Sequence, residues 1–247
     1  SNFNIEFTKE KLDLKKTINI FNDVSLDYSI DFLNYQRSYY EMNSEKIFDF
    51  SFFIKDRKKI LTFCPLYVIQ EKGFEITSNF KHILKPLFII NLDETTIKNI
   101  IDYYFELLDF LKKTLKIKKF SFISNNLINN GLDYWDKKLL TLNYSTYLTF
   151  EQSINLENNN NYIWSNIRKS YKNLINKFKD DIRVNLCDKQ DHKIWKNFQN
   201  FHLETSKKIT RNQSTWDKQF ISINNESAYF FYILDKKNKI IGGSLFD

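Results

Sequence analysis

Two clusters of side chains in this 247-residue chain are of types that could do chemistry. The first is cationic. Arg168, Lys169 and Lys172 lie in the run Ile167-Arg168-Lys169-Ser170-Tyr171-Lys172. A guanidinium offers a two-pronged fork to phosphate or carboxylate and an ammonium a point charge, so the run could clamp an anion. The second cluster lies between His202 and Gln219. His202, Glu204 and Asp217 could serve as general base, and Arg211, Gln213 and Trp216 could contact substrate. Imidazole titrates near neutrality, and a carboxylate becomes a base there once its surroundings raise its pKa. Each residue also has a purely structural reading: a solvated helix face for the cations and carboxylates, the edge of a core for His202, the core for Trp216.

The elements that must position these groups follow from periodicity. Ile163, Ile167, Tyr171, Leu174 and Phe178 recur at three- and four-residue steps, which predicts one amphipathic helix with Arg168, Lys169, Lys172 and Lys179 turned elsewhere. A strand at 182–186, helices near 193–204 and 215–223 and a hairpin over 228–246 follow. His202 and Glu204 then ride on the first of those helices, while Arg211 and Gln213 occupy the loop before the second, the kind of segment that carries binding groups. Gly242 and Gly243, inside the last strand, could allow a bulge or a close backbone approach.

Upstream, residues 28–40 read as helix. Segments 48–55 and 59–69 read as two strands turned about Asp56-Arg57-Lys58, and a short extended piece covers 73–77. Asp93 with Thr95 and Thr96 opens a long amphipathic helix to about Lys116. A strand at 120–123, a helix at 132–140 and a strand at 144–150 complete this half. The four consecutive asparagines at 158–161 read as a linker, because Asn favours turns and caps.

Composition bounds the function. With 42% hydrophobic and 17% aromatic residues the chain can bury a core and is not disordered. A net charge of +7 favours an anionic partner, whether nucleic acid, nucleotide or acidic membrane face, although basic compositional drift gives the same number. Cys64 and Cys187 sit in unrelated contexts, which argues against a disulfide framework and a zinc site. No metal and no tightly bound cofactor is expected. No apolar run approaches a membrane span and the N-terminus has no signal-peptide core, so a cytoplasmic location is expected.

Phe52-Phe53-Ile54-Lys55-Asp56-Arg57-Lys58-Lys59-Ile60-Leu61 matches Phe231-Tyr232-Ile233-Leu234-Asp235-Lys236-Lys237-Asn238-Lys239-Ile240-Ile241 with one residue inserted, each a strand, a charged turn and a strand preceded by helix. The match predicts a duplicated domain. The expected class is α/β (α+β), with mostly antiparallel mixed sheets flanked by helices. The expected organisation is a first unit over 1–157, a connecting basic helix over 158–180 and a second unit over 181–247. The second copy stops after its hairpin and is expected to be truncated.

The residues Trp164-x-x-Ile167-Arg168-Lys169-Ser170-Tyr171-Lys172-x-Leu174-Ile175-Asn176, then Phe201-His202, Thr210-Arg211-x-Gln213-x-Thr215-Trp216 and Ile241-Gly242-Gly243 resemble the FemAB-like branch of the GNAT acyltransferase superfamily. The resemblance extends loosely over residues 20–247. It implies tandem GNAT-like units and transfer of an acyl or aminoacyl group, from acyl-coenzyme A or aminoacyl-tRNA, to an amine on a cell-envelope or surface-glycan precursor. The superfamily's pyrophosphate-wrapping loop, Gln/Arg-x-x-Gly-x-Gly/Ala, is not present. Direct attack of an amine on an ester or thioester needs positioning, a base and oxyanion donors rather than an enzyme nucleophile, in keeping with the lack of a Ser-His-Asp or Cys-His signature. The competing readings are a basic RNA- or tRNA-binding module without catalysis and a degenerate fold acting as an interaction scaffold.

Overall fold

The structure is a computed structural model that describes residues 3–8, 17–21, 25–43, 46–70, 73–78, 82–123, 132–145, 158–189 and 191–246. Most of the strand expected at 144–150 lies outside the described residues. The chain divides into two compact units, one made of Ser1–Tyr144 with Arg211–Ser222, the other of Ser145–Thr210 with Ile223–Asp247. Seven α-helices and mainly antiparallel sheets are present among the described residues, a mixed α+β class as the sequence implies.

In the first unit β1 (Phe3–Phe7) and helix α1 (Ile30–Asn43) are followed by β2 (Lys46–Asp49), β3 (Phe52–Asp56), β4 (Lys59–Cys64), β5 (Tyr67–Gln70) and β6 (Phe74–Thr77). The two strands read at 48–55 and 59–69 each break, and the halves join different sheets. β3 and β4 pair within the order β1-β3-β4-β8, where β8 is Leu87–Phe88, while β2 and β5 pair within β2-β5-β6. The break has a local cause. Pro65 has no amide donor for a ladder, and Ser51 opposite fills in, its Oγ accepting from Leu66 N at 3.1 Å while Phe50 N donates to Leu66 O at 2.9 Å.

Helix α2 (Glu94–Thr114) covers one face of the first sheet. Asp93 caps it by accepting from Thr96 N, and Ile100, Ile101, Tyr104 and Leu108 form its buried stripe. Tyr104 meets Phe52 with ring centroids 6.1 Å apart, and Phe3 meets Tyr103 at 5.7 Å. The short β7 (Ile83–Leu84) and β9 (Phe122–Ile123) pair in parallel. Helix α3 (Tyr134–Thr141) opens on a capping box between Asp133 and Asp136 and seats the fully buried Trp135 among Tyr104, Phe105 and Phe122.

The single helix expected across 163–178 is two: α4 (Asn160–Asn166) and α5 (Lys169–Phe178), with Ile167 and Arg168 extended between them. At the end of α4 the Ser165 hydroxyl and the Asn166 side-chain amide both donate to the Tyr162 carbonyl, a local alternative to continuing the helix. The Lys172 ammonium then donates to the Ser165 carbonyl at 2.9 Å and closes the turn. The asparagine run read as linker instead starts a helix: Asn159 is the N-cap of α4, accepting from Tyr162 N, a position Asn favours as strongly as a turn.

The second unit holds β10 (Ile182–Leu186), α6 (His192–Ser206), β11 (Tyr229–Asp235) and β12 (Ile240–Phe246), in the sheet order β10-β11-β12. Helix α7 (Gln213–Asn224) lies almost wholly within the first unit, where Thr215 Oγ1 accepts from Ser38 Oγ at 3.2 Å and Asn212 Nδ2 donates to the Ser38 carbonyl.

The hairpin repeat extends to registry. Phe3, Ile5 and Phe7 pair with Asp56, Ile54 and Phe52, as Ile182, Val184 and Leu186 pair with Asp235, Ile233 and Phe231. The register shift between Ile54 and Lys55 recurs between Ile233 and Leu234, leaving Leu61 and its counterpart Ile241 as the unpaired residues. The sequence match is therefore a match of backbone geometry down to the bulge.

Candidate functional site

The cationic run lies wholly at the surface of the second unit. Arg168 and Lys169 are exposed, and Lys172 is half-buried because its ammonium is engaged by the Ser165 carbonyl. Two cations of the three are therefore open to an external anion, while the third holds the α4–α5 turn.

His202 is on α6, one turn after Phe198 and Gln199 and two after Trp195. That spacing puts it on the helix's inner face, where Trp195 and Gln199 are buried and the Phe198 ring meets the imidazole edge-on at 6.4 Å. His202 is half-buried at the margin of the second unit's core. Glu204, two residues on, sits about 200° round the helix and is exposed. The two side chains therefore face different sides of α6.

The remaining candidates belong to the first unit. The Arg211 guanidinium stacks over the Trp216 ring at 4.7 Å and donates from Nη1 to Gln219 Oε1 at 3.3 Å. Trp216 and Gln219 are buried and Arg211 is half-buried, so the guanidinium is held in place against buried partners. Asn212 prepares this arrangement: its Oδ1 accepts from Thr215 N at 2.8 Å at the start of the helix that begins at Gln213, two residues after the arginine. Gln213 Nε2 donates to Asp217 Oδ1 at 2.7 Å, and both are exposed. Asp217 is thus a surface carboxylate in an amide contact.

Gly242 and Gly243 have different reasons. Gly242 lies beside the bulge, facing Ile233. A Cβ on Gly243 would lie 2.8 Å from both the Phe198 and Phe230 rings, so the close approach it permits is to aromatic core rather than to a ligand.

Three features of the structure were not read from the sequence. Gln219 and Asn212 have no side-chain type that marks them, and only an Asn before a helix start hints at the second. The third is a cavity of about 530 Å³ in the first unit, lined by Asp102, Glu106 and Asp109 of α2 with Lys138, Phe120 and Tyr144. Lys138 pairs with Asp102 at 2.6 Å, and Tyr134 donates to the same carboxylate at 3.1 Å. Burial, then the Asp109 charge, raises the Tyr144 phenol. Those carboxylates occupy the polar side of an amphipathic helix, which in sequence is indistinguishable from a solvated face. Among the described residues no helix is long and apolar enough to cross a membrane.

The strands β1-β3-β4 of the first unit's four-stranded sheet and β10-β11-β12 of the second are antiparallel with a shared register, and with the flanking helices they define a mixed α+β fold. Among solved structures the crystal structure of FemX is similar to this chain, with a TM-score of 0.52 and 10% sequence identity. The match covers 93% of this chain and 57% of FemX, so the chain spans under two thirds of its neighbour's length. At that identity the likeness is one of fold. No family model matches the sequence, and no curated protein matches it.

Proposed function

We propose that this chain is a FemAB-like acyl- or aminoacyltransferase that moves an acyl group from aminoacyl-tRNA or acyl-coenzyme A to an amine on a cell-envelope or surface-glycan precursor. The observation that carries the reading is the FemX-like fold across 93% of the chain. The motif resemblance around Arg168, His202 and Arg211 agrees with it.

The amine nitrogen attacks the ester or thioester carbonyl, the C–N bond forms, and the tetrahedral adduct expels the tRNA hydroxyl or the coenzyme A thiol. The nitrogen loses one proton to a base and the leaving group gains one. His202 is the first choice of base, since it is half-buried and imidazole is the commonest general base among side chains. Glu204 and Asp217, both exposed, are the substitutes. Arg168 and Lys169 would hold donor phosphates, with Lys172 contributing mainly by fixing the turn that presents them. Arg211, steadied by Trp216 and Gln219, would contact a carboxylate or phosphate of the substrate, and Gln213 would add an amide donor. No tightly bound cofactor takes part in this scheme.

The exposed cations of the second unit favour a second reading, a tRNA- or RNA-binding module without chemistry. Thermal melts of the full chain with aminoacyl-tRNA, with uncharged tRNA and with acetyl-coenzyme A distinguish the readings. A ligand at a hundred times its dissociation constant adds about 2.7 kcal/mol of stability. A larger shift with the charged donor than with uncharged tRNA supports transfer. Equal shifts with both RNAs support the binding module.

A further inference from the structure

Helices α4 and α5 bury none of their residues. On α5, Tyr171, Leu174, Ile175 and Phe178 form a stripe one to two turns long, each between 42% and 59% exposed. Five cations and no carboxylate lie between Asn158 and Lys179. On a helix of 3.6 residues per turn, Lys177 and Lys179 flank the stripe on either side, about 90–110° from its centre, while Lys169 lies opposite. Tyr162 and Trp164, also exposed, sit on the adjoining helix.

We infer that α4–α5 is a docking surface for an anionic lipid membrane. An apolar stripe edged by lysines whose methylene stems reach past it, with Trp and Tyr near the ends, is the composition that seats a helix in the headgroup layer. The charge complement is what selects this occupant: a carboxylate-free segment gains from anionic headgroups at the depth where the stripe leaves water. An RNA would satisfy the lysines but leave Leu174, Ile175 and Phe178 in water, so it accounts for half of the surface. The inference is independent of the transferase reading.

Trp135, Trp195 and Trp216 are buried and Trp164 is exposed, so the protein carries its own reporter. The full chain is mixed with vesicles of phosphatidylcholine alone and with vesicles containing one third phosphatidylglycerol, following tryptophan emission and flotation. The expected result is a blue shift, absent in Trp164→Phe, and flotation only with the anionic vesicles. Leu174→Ser with Phe178→Ser, and separately Lys177→Glu with Lys179→Glu, should each reduce bound protein at least tenfold. All four side chains are exposed, so unchanged melting temperatures are expected and exclude misfolding. The inference is overturned if vesicles bind neither protein nor variant, or if only the lysine variant loses binding while homopolymer RNA competes. It is also overturned if the chain self-associates without lipid and the Leu174/Phe178 variant abolishes that association.

Discussion

Arg211 and His202 show what a side chain's neighbours add to its type. The sequence marks both as candidates, but only packing separates them: Arg211 is stacked on Trp216 and hydrogen-bonded to Gln219, whereas His202 continues the inner stripe of its helix. Arg211→Ala should therefore reduce transfer by about tenfold or more while removing a stacking contact worth about 0.5–1 kcal/mol, a loss of a few degrees in melting temperature at most. Unchanged transfer in a folded variant would remove Arg211 from the site. His202→Gln puts an amide of similar size in place of the imidazole and leaves no useful base. It should lower transfer, and unchanged transfer in a folded variant would move the base to Glu204 or Asp217. Gly243→Ala belongs to this scale too. The new methyl would meet the Phe198 and Phe230 rings at 2.8 Å, so about 1–3 kcal/mol of destabilisation is expected in urea unfolding. A close approach at this glycine was legible in the sequence, but strand periodicity gives a face and not the ring that lies across it.

Elements were more legible than side-chain roles. The strand at Ile182–Leu186, the helix starting after Asp93 and the hairpin about Asp56-Arg57-Lys58 follow directly from alternation, capping and turn residues. The misread elements share a cause: a continuous hydrophobic pattern broken by backbone bonding that the pattern does not contain. Pro65 with Ser51 splits two strands, and Ser165 with Asn166 splits a helix. The α3 cap makes an element-scale prediction. Burial acts to raise the Asp133 carboxyl, but the Lys85 ammonium and the Asp136 backbone N–H outweigh it and hold its pKa below the usual value. A depressed native pKa gives stability that is present above the unfolded value, about 3.9, and is lost as pH falls through the native one. Asp133→Asn keeps a capping acceptor and loses the charge. Its deficit against the parent in urea unfolding should be present at pH 7 and shrink at pH 3, and a deficit that does not change with pH would show that Lys85 contributes nothing there.

At the scale of the molecule, the hairpin repeat visible in sequence is the trace of two sheets with one register and one shared bulge position. The parts differ in what lies on them. α2 covers Phe52 in the first, while the matching Phe231, with Val184 and Leu186, is exposed in the second. Composition and spacing could suggest duplication, but the assignment of Arg211–Ser222 to the first unit was hidden, since a helix's partner across some 170 residues leaves no periodic mark. That assignment also divides the candidate side chains: the cations, His202 and Glu204 on one unit, Arg211, Gln213, Trp216 and Asp217 on the other. The central claim, that a FemX-like fold here performs group transfer, is tested most directly by incubating the full chain with a radiolabelled aminoacyl-tRNA pool or labelled acetyl-coenzyme A and an amine-bearing muropeptide. Label appearing on the amine, dependent on the chain and reduced in Arg211→Ala, is the expected result. A folded chain that binds charged and uncharged tRNA alike and moves label from neither donor would contradict it.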